Sequence, residues 1–144
     1  MIAVDTNVLV YAHRREVPEH DAARTLVRAM VHGTPRWAIP WPCVYEFFSV
    51  VTNPRIWKDH ATTPDQAWAQ LAAWFAAPNV RLIAETTDFA TLLAGFACRA
   101  RVRGPLIHDA RVAAICVAHG VDKLLTRDRD FSLFPELTIE NPFA

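Results

Sequence analysis

Strand-length apolar runs, each followed by a stretch with helical periodicity, restrict this chain more than any other feature. Ile2-Ala3-Val4, Trp37-Ala38-Ile39, Val80 to Ile83 and Lys123-Leu124-Leu125 are too short for core helices and suit short buried strands. Leu137 to Ile139 is a fifth segment of the same form. Between them, Ala22, Ala23, Leu26, Val27 and Met30 recur at helical spacing over Glu19 to His32, with Arg24 and Arg28 on other faces and Gly33 as a stop. Cys43 to Thr52 is helical in pattern, with Pro42 suited to its first turn and Pro54 to its end. Gln66 to Ala76, Thr87 to Arg101 and Asp109 to His119 are further helices, the last closed by Gly120.

Alternation of this kind gives parallel strands whose crossovers cover both sheet faces. The predicted fold is a three-layer α/β/α sandwich around a short parallel sheet of four to five strands, as one domain over residues 1–144. A hydrophobic content of 52% is enough to fill its core. Ligands of such sheets bind beyond the carboxyl ends of the strands. Asp5 and the segment from Thr126 to Asp130 follow two of those ends.

Composition removes several function classes. Cys43, Cys98 and Cys116 are odd in number, widely spaced and set in apolar surroundings, so they are expected as buried thiols rather than as a disulfide framework or a zinc knuckle. No apolar stretch is long enough to cross a bilayer, and the N-terminus lacks a basic region and a cleavage site, so a cytoplasmic location without membrane contact is expected. With 15 basic and 15 acidic residues, net charge alone does not point to nucleic acid. If a cation neutralised several carboxylates, the remaining balance would be basic.

Four acids stand next to or inside apolar segments, where a carboxylate is costly unless something offsets its desolvation. Asp5 ends the first strand, where it also suits the cap of a helix starting near Asn7. Glu46 shares a helical stripe with Ser49 and Asn53, while Val44, Phe47, Phe48 and Val51 form the buried side. Asp109 opens an apolar helix and is equally placed to cap it; Asp128 and Asp130 alternate just past the fourth strand, where Arg127 and Arg129 are available as ion-pair partners. Two carboxylates 4 Å apart repel by roughly 4 kcal/mol at an effective dielectric of about 20. A hard divalent ion with oxygen ligands removes that repulsion, so magnesium or manganese is the expected occupant. Such an ion generates a hydroxide-like nucleophile and neutralises charge on a phosphoryl group, which is the chemistry of phosphodiester hydrolysis. The six histidines show no metal-binding pattern, and His108 beside Asp109 reads as a surface contact.

Val4-Asp5-Thr6-Asn7-Val8-Leu9, Glu46 with Thr52-Asn53-Pro54-Arg55, Ile107-His108-Asp109-Ala110, and Leu125-Thr126-Arg127-Asp128-Arg129-Asp130-Phe131 together resemble the PIN-domain nucleases, and more narrowly the VapC toxins. The resemblance runs from residue 2 to about residue 140. It implies an acidic quartet of Asp5, Glu46, Asp109 and Asp128, with metal bound by Asp5, Asp109 and Asp128, Asp130 acting through water, and Asn7 and Thr126 supporting the ligands. It further implies cleavage of RNA, usually a tRNA or ribosomal RNA, silencing by a cognate antitoxin, and homodimers. Arg55, Arg127 and Arg129 are expected phosphate contacts, with Arg101 and Arg103 as further candidates. Trp57, Trp68, Trp74 and Phe75 are expected to pack in the core, with a dimer or antitoxin groove as the alternative.

Two other readings use the same acids. A phospho-accepting magnesium domain also places Asp at strand ends, but a dehalogenase-type site needs a second Asp where Asn7 stands, and a receiver needs a lysine where Thr126-Arg127-Asp128 follows the strand. A scaffold of the same family that only binds RNA is opposed by the presence of all four acids.

Overall fold

The computed structural model describes residues 1–144. Five strands, β1 (Ile2–Val4), β2 (Trp37–Pro40), β3 (Val80–Ile83), β4 (Lys123–Leu125) and β5 (Thr138–Glu140), form one parallel sheet in the order β3-β2-β1-β4-β5. The chain runs outward from β1 to β3, then returns to β4 on the other side of β1. The reversal makes a crevice between the carboxyl ends of β1 and β4, the place where such sheets bind ligands.

Seven helices flank the sheet: α1 (Thr6–His13), α2 (His20–His32), α3 (Trp41–Val51), α4 (Pro54–Trp57), α5 (Pro64–Phe75), α6 (Phe89–Arg99) and α7 (Leu106–Ala118). Helix α1 packs on α2 and α3, and α3 on α5, while α6 and α7 pack together. This is the expected α/β/α arrangement. Its 33 buried apolar residues form one contiguous cluster, drawn from both helix groups and from all strands except β5. Parallel strands buried on both faces must be apolar throughout, and Trp37, Ala38, Ile39 and Pro40 are all buried. No helix is long and apolar enough to cross a membrane.

The boundaries of β3 and β4 coincide with the sequence expectation, and several others shift for local reasons. Helix α7 starts three residues early, at Leu106, so Asp109 lies in its first turn and does not cap it. Gly104, at φ 58°, makes the left-handed turn that lets the helix begin there. Pro54 does not simply terminate α3; Thr52 caps that helix, and Asn53 accepts the Arg55 amide to start α4 at Pro54. The last strand is Thr138–Glu140, one residue beyond the apolar run, because its pairing to β4 sets its limits. Cys43 and Cys116 are buried thiols as expected, but Cys98 is exposed on α6. Among the aromatics, Trp74 is core, Trp57 and Phe75 are half-buried, and Trp68 stays 53% exposed.

Helix α3 shows how sharply the faces divide. Phe47 is fully buried between His13 and Trp74, whereas Tyr45 is 62% exposed. Phe47→Ala is expected to lower unfolding free energy by about 3–5 kcal/mol and Tyr45→Ala to change it by less than about 0.5 kcal/mol, as read by urea titration of each purified variant.

Candidate active site

Each acid reaches the crevice for a structural reason. Asp5 is the first residue past β1, and its amide still pairs with the Leu125 carbonyl at 3.0 Å. Helix α3 begins directly at the carboxyl end of β2, so Glu46 sits one to two turns above the sheet edge. Helix α7 runs back toward the start of β4, which places its first turn, with Asp109, at the same edge. Asp128 lies three residues past β4 and caps the short 3-10 turn Arg129–Leu133 by accepting the Asp130 amide at 2.9 Å.

Asp5 is only 7% exposed and accepts from four donors. The Thr6 amide (2.8 Å) and the Cys43 thiol (3.5 Å) approach Oδ1, and the Thr126 hydroxyl (2.7 Å) and the Asn7 amide (3.1 Å) approach Oδ2. Asp5 therefore does cap α1, at the same time as it faces the crevice. Burial raises its pKa, the Thr126 and Thr6 hydrogen bonds oppose the rise, and Glu46 adds to it. Thr126 is the hub of this web: its oxygen also accepts from Asn7 Nδ2 (3.2 Å) and from the Asp128 amide (3.0 Å). Asn7 in turn accepts the Arg127 amide at 3.2 Å, and Thr6 donates its hydroxyl to Glu46 at 3.0 Å.

Carboxylate oxygens of Asp109, Asp128 and Asp130 lie within 4.8 Å of one another. Asp5 and Glu46 are not members of that closest group, but both share clefts with Asp109. One cleft of about 250 Å³, on the α1 side, is lined by Asp5, Asn7, Tyr11, Glu46, Asp109 and Asp128 among others. A second of about 550 Å³, between α3 and α7, is lined by Asp5, Glu46 and Asp109 together with Tyr45, Ser49, His108 and Arg111. Asp130 is exposed and lines neither. The arginines stand further out: Arg55 and Arg129 are exposed and border neither cleft, and neither do Arg101 and Arg103. Arg127 does not pair with its acidic neighbours; it bonds Glu19 and leans on Tyr11.

Crowding of like charges is visible in Asp109, whose pKa is pushed up to about 7. Desolvation is the main cause, followed by repulsion from Asp128, Asp5, Asp130 and Glu46. Three acids with converging oxygens and no cationic side chain among them form a hard-oxygen donor set suited to a divalent ion. Cys43 and Cys116 are held as neutral thiols by burial and by Asp5, which removes them as soft ligands.

Similarity to known proteins decides the family. The PIN domain description matches residues 2–137. The chain belongs to the PIN-domain family. It is 31% identical over 140 residues to "Ribonuclease VapC48" of Mycobacterium tuberculosis, covering 97% of this chain and 96% of that protein. Its fold resembles VapC20 of Mycobacterium tuberculosis, described as a sarcin-ricin loop cleaving toxin, with a TM-score of 0.66 at 20% identity over 92% of this chain and 93% of that one. It also resembles a chain of a toxin-antitoxin complex from Klebsiella pneumoniae, with a TM-score of 0.64 at 19% identity over 99% and 98%.

Within this PIN domain, the sequence pointed to the acids, Asn7 and Thr126, but not to Thr6, Cys43, Tyr45 or Arg111. Thr6 and Cys43 act through contacts that only folding creates, one of them across 40 residues. Tyr45, adjacent to Glu46, carried a usable signal as a large ring on the polar side of an amphipathic helix.

The folded protein holds the Asp109 proton more tightly than the unfolded chain, whose value is near 3.8. Stability without metal is therefore highest when that proton is bound and is lost as pH rises from about 4 to about 7; Asp5, also shifted upward, acts with the same sign. Thermal melts in chelator are expected to show Tm falling from pH 5 to pH 8, with a shallower fall in Asp109→Asn. A melt of Asp109→Asn as steep as the parent's contradicts this.

Proposed function

We propose that this chain, acting as one domain over residues 1–144, is a magnesium- or manganese-dependent endoribonuclease, a growth-inhibiting toxin silenced by a cognate antitoxin. The observation that carries the reading is the convergence of Asp109, Asp128 and Asp130 oxygens within 4.8 Å beside Asp5 and Glu46. Its support from relatives is the ribonuclease name of a 31%-identical protein that it matches almost end to end. The toxin and antitoxin roles are carried over from structural relatives described in those words; a tRNA or ribosomal RNA substrate is what the family resemblance implies, and one of those relatives is described as cleaving the sarcin-ricin loop.

The ion would be held by Asp109 and Asp128 with Asp5, and by Asp130 through water; when bound it supplies a hydroxide-like nucleophile and charge neutralisation at the phosphorus. Asp128 is preferred to Asp130 for direct contact because it lines the α1-side cleft. Thr126 and Asn7 hold Asp5 in one orientation, which is how groups behind a ligand sharpen a site. Glu46, bonded to Thr6, is placed to take a proton from water entering the cleft. Arg55, Arg127 and Arg129 contact phosphates further along the RNA.

We assign homodimerisation to the α5 face beside α3, on the support of exposed Trp68, which meets Phe75 edge to face at 6.3 Å. Trp68→Glu is expected to shift the mass measured by light scattering from dimer to monomer; an unchanged mass moves the interface elsewhere. For the activity, Asp5→Asn, Asp109→Asn and Asp128→Asn are each expected to slow cleavage of a labelled RNA at least 100-fold, on the scale of losing a catalytic group, while retaining a cooperative melt. Chelator should abolish the parent's cleavage, and added magnesium or manganese should restore it. Cleavage by the acid variants at the parent's rate would remove the assignment.

A further inference from the structure

The acids account for only part of the lining of the larger cleft. That cleft, about 550 Å³ between α3 and α7, has a size typical of small-ligand sites, and only two of its ten lining residues are hydrophobic. Asp5, Glu46 and Asp109 supply part of its lining, and Tyr45, Ser49, His108 and Arg111 supply further polar groups.

Tyr45 is 62% exposed, its hydroxyl makes no hydrogen bond within the chain, and its ring rests near Trp41 at a centroid distance of 6.0 Å and an interplanar angle of 32°. An exposed ring steadied by a second ring, beside a polar cleft, is a surface for a flat partner. Arg111 is held from the outside. Its Nε and Nη2 both bond Glu85 Oε1, at 2.6 and 2.5 Å, so the guanidinium is fixed at the rim while Nη1 has no partner in the chain. A fixed fork with a spare donor edge suits a phosphate.

We propose that this cleft seats one unpaired nucleotide adjoining the phosphate that is cut, with its base stacked on Tyr45 and its own phosphate held by Arg111. The proposal rests on the nuclease reading and adds a direction to it: the strand crosses the acids and continues between α3 and α7. Ser49, one turn along α3 from Glu46, offers a hydroxyl toward the sugar or phosphate. Stacking tolerates any base, so Tyr45 contributes affinity with little sequence preference.

The test uses the full chain with Tyr45→Ala, Tyr45→Phe and Arg111→Gln. In magnesium-dependent cleavage of a short single-stranded RNA, Tyr45→Ala should raise KM about tenfold with kcat within about twofold, and Tyr45→Phe should match the parent. Arg111→Gln should raise KM and reduce the slope of log KM against log salt by about one. A second readout does not need cleavage: titration of the four nucleoside 5′-monophosphates should quench tryptophan emission saturably in the parent, through Trp41, and much less in Tyr45→Ala. Unchanged KM and unchanged quenching in Tyr45→Ala overturn the proposal even if the acid variants are inactive. Saturable quenching lost in Tyr45→Ala, in a parent that does not cut RNA, removes the nuclease reading and keeps the nucleotide seat.

Discussion

Asp5 keeps a carboxylate almost wholly out of water at the end of the central strand, and it does so because Thr126, Asn7, Thr6 and Cys43 each point a donor at it. Burying such a group without partners costs several kcal/mol. With them, the cost is turned into a constraint. Thr126 comes from the end of β4, Thr6 and Asn7 from α1, and Cys43 from α3, so satisfying one side chain aligns four elements. The alignment of β1 with β4 is what makes the crevice, and the start of α3 brings Glu46 over it.

Around that anchor the protein gathers further negative charge rather than dispersing it. Asp109 and Asp128 face one cleft with Asp5 and Glu46, and Asp130 stands beside them at the rim. The elevated Asp109 pKa reflects burial first and that crowding second. Folding energy from the apolar cluster holds the acids together against their repulsion, which a small, hard cation would relieve. The nearest positive side chains are engaged by other acids: Arg127 by Glu19, and Arg111, which lines the larger cleft, by Glu85.

Much of this was legible before folding was considered. The strand-length runs at Val80–Ile83 and Lys123–Leu125 coincide with β3 and β4: Leu124 and Leu125 are buried inside the sheet, whereas β3 lies at its edge and leaves Arg81 exposed. The buried and exposed sides of α3 also follow from periodicity, with Phe47 inside and Glu46 outside. Helix ends were harder to read. Leu106, Ile107 and His108 carry no strong helix-start signal, and α7 begins there because Gly104 turns the chain, which made Asp109 look like a cap when it is a first-turn residue. Cys98 sits in an apolar stretch, yet α6 turns it outward, since a helix with one buried stripe exposes some of its small residues.

The order of residues alone determined the alternation of strands and helices, and hence a layered parallel sheet with acids at strand ends, because periodicity and desolvation act on neighbours along the chain. Which acids meet was decided by tertiary structure. Thr126 and Asp5 are 121 residues apart, and Thr6 and Glu46 are 40 apart; no local preference encodes such pairings. They arise when the strand order places β4 beside β1, and the same step opens the cleft between Tyr45 and Arg111. Distances across the sheet, and the field they create at Asp109, exist only once that packing is complete.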